Sequence, residues 1–422
     1  MSLSRRQLLQ LGGAAALGAA SPLSGADTPA PATPGPIAAL NTLPGAPPPI
    51  SVDERRSRLA RAQKLMADEG LDALVMASGS GLTYFTGAEW RISERFFGTV
   101  LTRSGDPAWV TPAFERARGL EQIAIGSDVR SWEEHESPSA LVAGILKDRS
   151  VGAGAVGIEE TVPFAFVDAI AKAAPAARIV SGTPVTAGCR VIKDAHEIAL
   201  MRHACAITVR AHRAVFASLK PGLTQSEVAR LSSEAHRRLG AEGGSLVLFG
   251  PDAAFPHGTT KPQPLKPGDV VLIDGGCSFQ GYASDITRTG VFGKPPTERQ
   301  RRVWDTVRQA QDAAFRAARP GAECQSVDAA ARKVIEDAGF GPDYKYFTHR
   351  LGHGIGMDGH EWTYFVRGNT TLLRPGMCFS DEPGIYIPGE LGIRHEDVIF
   401  IKEDGAESMV TWTGSPEDPA VI

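Results

Sequence analysis

Five residues set the chemistry this sequence can support: Asp274, Asp285, His353, Glu382 and Glu396. The apolar run Val270-Val271-Leu272-Ile273 ends in Asp274, and the chain continues through Gly281-Tyr282-Ala283-Ser284 to Asp285. This pattern predicts a hairpin centred between Phe279 and Gln280, with Asp274 directly opposite Asp285. Directly opposed side chains share one sheet face, with Cβ atoms roughly 5 Å apart. Further on, Phe379-Ser380-Asp381-Glu382 returns through Gly392-Ile393-Arg394-His395-Glu396 by way of Pro388-Gly389, a strong turn signal. A hairpin centred on Gly389 sets Glu382 opposite Glu396, while strand parity turns Asp381 to the other face. Facing like charges cost stability, so each pair needs a proton or a cation to offset it.

His353 lies between these pairs, flanked by Gly352 and Gly354, which let the backbone approach whatever the imidazole binds. A lone histidine is more often structural than a ligand, but four carboxylates already demand a cation. The donor set is dominated by oxygen, which suits Mn²⁺ and similar divalent ions better than a closed structural zinc site. Four negative charges balance two divalent ions, and two ions roughly 3.5–4 Å apart can activate one water between them.

The elements that carry these residues repeat. Lys220-Pro221-Gly222-Leu223-Thr224 ends one helical pattern and opens another, and Arg319-Pro320-Gly321-Ala322-Glu323 does the same before the second acid pair. The repeat defines a second domain over 186–422. Ahead of it, strand patterns at Leu71–Met76, Gly98–Thr102, Ala108–Thr111, Val156–Ile158 and Arg178–Val180 alternate with helical patterns from Val52 and near 138–147 and 163–174. That alternation predicts an α/β domain over 51–185. Trp90, Arg91, Glu94 and Arg95 cluster there, and a polar loop accounts for them.

With 422 residues and 42% hydrophobic content the chain can bury two cores, and a net charge of −4 argues against a nucleic-acid partner. Five scattered cysteines without CxxC spacing read as small buried hydrophobes. Ser4-Arg5-Arg6-Gln7-Leu8-Leu9 precedes an Ala/Gly-rich apolar run, the layout of an export signal over 1–20 that resembles the bacterial twin-arginine type. Periplasmic export is therefore expected. The run is too short for a good membrane span, so no stable membrane insertion is expected. Residues 21–50, rich in Pro, Ala and Gly, read as an extended tether.

The quoted motifs, together with Gly352-His353-Gly354-Ile355-Gly356, Glu382-Pro383-Gly384-Ile385-Tyr386 and Arg394-His395-Glu396-Asp397, resemble the pita-bread metallopeptidases of the prolidase and aminopeptidase P branch. The resemblance runs from about residue 52 to the C-terminus. It implies an α/β (α+β) chain with a creatinase-like N-terminal domain and a pseudo-twofold pita-bread catalytic domain. It also implies Asp274, Asp285, His353, Glu382 and Glu396 as ligands of two divalent ions, with Mn²⁺ expected and Zn²⁺ or Co²⁺ as alternatives. Glu382 resembles the general base. His360 resembles the histidine near the reacting carbonyl, and His257 a histidine on the substrate side. Arg394 and Tyr386 resemble pocket residues, with an equal alternative for Arg394 as a partner that orients Asp285 or Glu396, and with packing as the alternative for Tyr386. The implied reaction is hydrolysis of Xaa-Pro bonds by a hydroxide bridging two ions. Dipeptides are the first expectation and longer peptides, as for an aminopeptidase P, the second. Partners are small peptides with proline in second place, and a homodimer is expected. A departure stands at Ser380-Asp381, where an apolar residue is more usual beside the ligand. Creatinase lacks the ligands, methionine aminopeptidase lacks the first domain, and non-catalytic relatives usually lose ligands.

Overall fold

The structure, a computed structural model, describes residues 33–412 and 414–420; the arginine pair and apolar run of 1–20 lie outside the described residues. Ser51 opens helix α1 (Val52–Asp68) with a reciprocal cap: its hydroxyl accepts from Glu54 N–H, and the Glu54 carboxylate accepts from Ser51 N–H at 2.8 Å. Leu59, Ala62 and Met66 are buried on one face of α1, as the periodicity predicts.

Six strands follow: β1 (Ala73–Ala77), β2 (Gly98–Thr102), β3 (Ala108–Pro112), β4 (Val129–Trp132), β5 (Ala155–Ile158) and β6 (Arg178–Ser181). They form one mixed sheet in the order β4-β3-β2-β1-β5-β6. The central β1 is an unbroken apolar run buried throughout, and it pairs antiparallel with β2 and parallel with β5. Helix α2 (Ser80–Thr86) follows β1. Strand β4 escapes the sequence reading because Val-Arg-Ser-Trp at a sheet edge has no apolar run. Trp90 stacks on Phe97 with ring centroids 4.1 Å apart, and Arg95 pairs with Glu134, so this cluster is structural. A helix over Thr183–Arg190, α3, runs through the expected junction at 185/186, and its Val185 and Cys189 pack into the first domain's core.

The tether expectation is corrected between 33 and 50. Gly35–Ala38 forms a helical turn whose Ile37 is fully buried among residues of the catalytic domain, and Ile50 is buried in a second cluster there. The proline-rich composition masked these apolar side chains, which dock the segment.

The catalytic domain shows the repeat. Helix α4 (Ala195–Phe216) leads to α5 (Gln225–Arg238), and α6 (Glu298–Ala317) leads to α7 (Cys324–Ile335). Between the helices of each pair lies a left-handed glycine, Gly222 (φ +88°) and Gly321 (φ +81°). Gly222 N–H donates to Leu265 C=O at 2.8 Å, and Gly321 N–H donates to Leu373 C=O at 2.9 Å. The partners sit in a second echo, Leu265-Lys266-Pro267-Gly268 and Leu373-Arg374-Pro375-Gly376, which leads each time into a strand that runs to an acid of one of the two pairs.

Those strands are β8 (Val270–Phe279), flanked by β7 (Glu242–Phe249), β9 (Tyr282–Ala283) and β10 (Ile286–Val291), and a second set. The second set orders β12 (Glu361–Phe365), β11 (Gly352–Gly354), β13 (Cys378–Asp381), β16 (Asp397–Ile401) and β17 (Ala406–Ser408), with β14 (Gly384–Ile387) and β15 (Leu391–Arg394) as a separate hairpin. All five cysteines are free and buried, as expected.

Candidate metal centre

The first acid pair forms in a register two residues from that expected. Phe279 pairs with Tyr282 and Asp274 with Thr287, so the turn is Gln280-Gly281, both at positive φ (+51° and +82°). The same register sets Asp285 beside Gly276, diagonal to Asp274. A two-residue shift preserves parity, so the acids still share a face. Gly276 permits the crossing: a Cβ there would lie 1.8 Å from Ser284 C=O.

The second pair matches its expected register. Ser380 pairs with Val398 and Asp381 with Asp397 in one ladder, and Gly384 with Arg394 in the next. Glu382 and Glu396 stand at the break between the ladders, in the same register. The two halves then join through one bridge. Thr287 N–H donates to Glu396 C=O at 3.3 Å, and Glu396 N–H donates back to Thr287 C=O at 3.2 Å. This bridge brings Asp274, Asp285 and Glu396 together, and likewise His353, Glu382 and Glu396, with donor atoms within 4.8 Å of one another in each group.

His353 is held as a ligand would be. Its Nδ1 lies 3.1 Å from Gly354 C=O, which places the proton there and leaves Nε2 with its lone pair facing Glu382 Oε1 (3.3 Å) and Asp285 Oδ2 (3.7 Å). Burial, with His360 and Arg350 nearby, lowers the His353 pKa to about 4, so the ring is neutral. Ser380, which departs from the usual apolar residue beside the ligand, ties two of the donors together. Its hydroxyl accepts from His353 N–H at 3.0 Å and donates to Glu382 Oε1 at 3.1 Å. Asp381 points to the opposite face, as parity requires, where its carboxylate is buried beside Asp397 with no hydrogen-bond partner among the described residues. Asp397 itself is held by Arg288 (2.7 Å) and Gln311 (3.0 Å).

Arg394 lines the cavity, lies 4.0 Å from Glu396 Oε2 and reaches Asp274 as well. It donates to Asp274 Oδ2 at 2.5 Å, Thr287 Oγ1 at 3.1 Å, Tyr386 Oη at 2.9 Å and Pro256 C=O at 3.3 Å. Tyr386 is 2% exposed and lies beneath the ligands, its Oη 2.8 Å from His349 Nε2. His349 is a supporting residue, its pKa lowered to about 3 by burial and by Arg394. Thr287, absent from the sequence reading, reaches Asp274 Oδ1 at 2.8 Å and Glu396 Oε2 at 2.7 Å. The signal that could have found it is its place in Asp285-Ile286-Thr287, two residues past an acid on an alternating strand.

These residues fit divalent cations. Burial, and then the neighbouring carboxylates, push the Asp285 and Glu396 pKa values well up; burial raises Glu382 to about 7 despite Arg394. One hydroxyl proton on Thr287 can serve only one of the two carboxylates it touches. Cations at the shared face remove both conflicts. A cavity of about 340 Å³ opens onto this face, and His257, His360 and Arg350 line it beside the acids. His360 is stacked on His353 with centroids 3.7 Å apart.

The chain belongs to metallopeptidase family M24. The model of that family matches residues 199–403, and that of the Creatinase/Prolidase N-terminal domain matches residues 58–192. The family depends on a pair of metal ions. A "Probable dipeptidase PepE" of Mycobacterium tuberculosis is 39% identical over 361 residues, covering 83% of this chain and 93% of that protein. An "Xaa-Pro dipeptidase" of Lactobacillus delbrueckii subsp. lactis is 33% identical over 358 residues, covering 82% and 95%. The crystal structure of dipeptidase PepE from Mycobacterium ulcerans, 36% identical, superposes with a TM-score of 0.81 over 88% of this chain and 99% of that one. An X-Pro aminopeptidase structure from Thermotoga maritima, 27% identical, gives 0.72 over 84% and 99%.

Proposed function

We propose that this metallopeptidase hydrolyses Xaa-Pro dipeptides. The observation that carries the proposal is the five-donor centre opening onto a cavity that His257, His360 and Arg350 also line. Relatives named as dipeptidases and Xaa-Pro dipeptidases support it. Asp274, Asp285, His353, Glu382 and Glu396 would hold two divalent ions, which supply an activated water and polarise the carbonyl when bound. Glu382, at the shared face, would take up the proton of the attacking water and deliver it to the departing proline nitrogen. Burial, then Arg350 and His257, lowers the His360 pKa, so the ring is neutral and can donate an N–H to the carbonyl oxygen as charge develops there. The proline nitrogen carries no N–H in the substrate, so the site needs no acceptor for one.

Mn²⁺ as the native ion, a homodimer and export to the periplasm belong to the same reading. The oxygen-rich donor set supports the first, and the arginine pair and apolar run of 1–20 support the last. The likeness to an X-Pro aminopeptidase favours a second reading, action on longer peptides. Hydrolysis of Ala-Pro and Ala-Pro-Ala with Mn²⁺, with and without a chelator, separates the two. Cleavage of the dipeptide alone, abolished by chelator, is expected. Efficient cleavage of the tripeptide would transfer the protein to the aminopeptidase reading, and cleavage of neither would sink both.

A further inference from the structure

Helix α4 packs on β8 and α5 on β7, and a run of buried polar side chains crosses that contact. Thr208 of α4, Ser232 and His236 of α5, and Ser284 before Asp285 are all buried. Their hydrogen bonds have a fixed direction. His236 Nδ1 lies 2.9 Å from Ser232 C=O, which can only accept, so Nδ1 carries the proton. Burial lowers the His236 pKa, so the ring is neutral and Nε2 is an acceptor. Thr208 Oγ1, 3.2 Å from Nε2, donates its proton there. The Thr208 oxygen then accepts from Ser284 Oγ at 2.8 Å, and Ser284 Oγ accepts from Cys277 N–H at 2.9 Å. Each hydroxyl proton is thereby assigned, and aligned hydrogen bonds strengthen one another where the local dielectric is low.

The run ends beside the metal centre. Strand β9 stops at Ala283 and β10 starts at Ile286, so Ser284 and Asp285 lie between the two ladders. The Ser284 hydroxyl is held by Thr208, and its N–H donates to Cys277 C=O at 3.0 Å. Its own C=O crosses Gly276 so closely that a Cβ there would lie 1.8 Å away, which leaves no slack on that side. A turn of Ser284 is therefore passed on to Asp285. The second half of the domain repeats the arrangement. Thr208 and Gln311 hold the same helix position, fourteen residues past the caps Asp194 and Thr297. Gln311 donates to Asp381 C=O at 3.2 Å and to Asp397 Oδ2 at 3.0 Å, the neighbours of Glu382 and Glu396.

We propose that Thr208 is a positioning residue for the metal centre: with His236 it sets the rotamer of Ser284 and, through it, the place of the Asp285 carboxylate. The proposal rests on the metal-binding part of the reading above and not on the substrate. With valine at 208, His236 Nε2 loses its donor, and the Ser284 hydroxyl turns to its next acceptor, Cys277 C=O at 3.4 Å. Partners that orient ligands from behind typically govern metal affinity by about 10–100-fold.

The test is calorimetric titration of the metal-free full chain with Mn²⁺. Thr208→Val keeps the shape and loses the hydroxyl, and its affinity for at least one ion should fall by about 10–100-fold. Thr208→Ser keeps the hydroxyl and should bind within about threefold of the wild type. Ser284→Ala should match Thr208→Val, and the double variant should bind no worse than either, because both act through one link. Ile207→Val, a core truncation at the neighbouring position of α4, controls for packing and should leave the affinity unchanged. If Thr208→Val does not fold, Thr208→Cys, a weaker donor of similar size, takes its place under the same criteria. Unchanged affinity in Thr208→Val, equal losses in Thr208→Val and Thr208→Ser, or additive losses in the double variant would overturn the proposal. A wild type that takes up no divalent ion overturns the metal-binding reading and this proposal with it. A wild type that binds, with Thr208→Val its equal, overturns the proposal alone.

Discussion

Thr287 shows how one hydroxyl can hold a charged centre in shape. It touches one carboxylate from each half of the domain, Asp274 and Glu396, and accepts from Arg394. Groups that orient ligands in this way typically govern metal affinity by about 10–100-fold. Thr287→Val keeps the shape and removes the hydroxyl. Metal affinity, followed by titrating metal-free protein and measuring recovered activity, is expected to fall within that range. The far-ultraviolet circular dichroism should stay unchanged, because backbone pairing at Thr287 does not use the hydroxyl. An affinity within about twofold of wild type would show that Arg394 alone orients Asp274. The five candidate ligands could be picked out in the sequence because four are acids that two hairpin patterns bring together in pairs and the fifth is a histidine between glycines. Thr287 and Ser380 were not, because a hydroxyl on a strand has many ordinary uses and only the fold shows what lies opposite it.

The two hairpins differ in how openly their turns are written. Pro388-Gly389 announces its turn, and the register of β14 and β15 follows. The first hairpin turns instead at Gln280-Gly281, with a non-glycine residue at φ +51°. Glutamine rarely adopts that conformation, so nothing in the residue types marks the turn, and the expected centre falls one residue early. The site survives because the error in register is two residues and side chains alternate with period two. Gln280→Asn should therefore stabilise the protein by about 0.5 kcal/mol, since Asn-Gly suits this turn. Gly281→Ala should destabilise it by about 1 kcal/mol or more, because φ there is +82° and a Cβ would lie 3.1 Å from Met357 Cε. Denaturant unfolding of both variants checks the pair, and a stabilising Gly281→Ala would mean the turn relaxes to another type. The same limit hid the docking of Ile37: a lone isoleucine within a proline-rich stretch has no period to read.

At the scale of the molecule, a buried ion network joins the two domains beside the site. Arg190 at the end of α3 pairs with Glu361 (2.5 Å) and Asp358 (2.7 Å), and Lys193 pairs with Glu361 (2.8 Å). Ser80, the first residue of α2 in the first domain, donates to Asp358 at 2.6 Å. Glu361 also accepts from Met357 N–H at 2.9 Å, so the network pins the segment that presents His360. Burial alone would raise the Glu361 pKa, but Lys193 and Arg190 prevail and hold it at about 2, against 4.5 for a free glutamate. A folded-state value below the unfolded one contributes stability that is complete above about pH 4.5 and lost as the pH falls towards 2. Glu361→Gln leaves two buried cations short of a partner, so near neutral pH it should cost about 3 kcal/mol. The cost must shrink in acid, because the wild type then loses what the variant already lacks. Between pH 5 and pH 3 the gap in unfolding free energy should close by about 2 kcal/mol, following roughly 1.4 kcal/mol per pH unit below the unfolded value. Denaturant unfolding of both proteins across that range measures it. A gap that stays constant would mean that Glu361 holds its place through the Met357 N–H and through shape, and that the charges across the domain boundary contribute nothing to the fold.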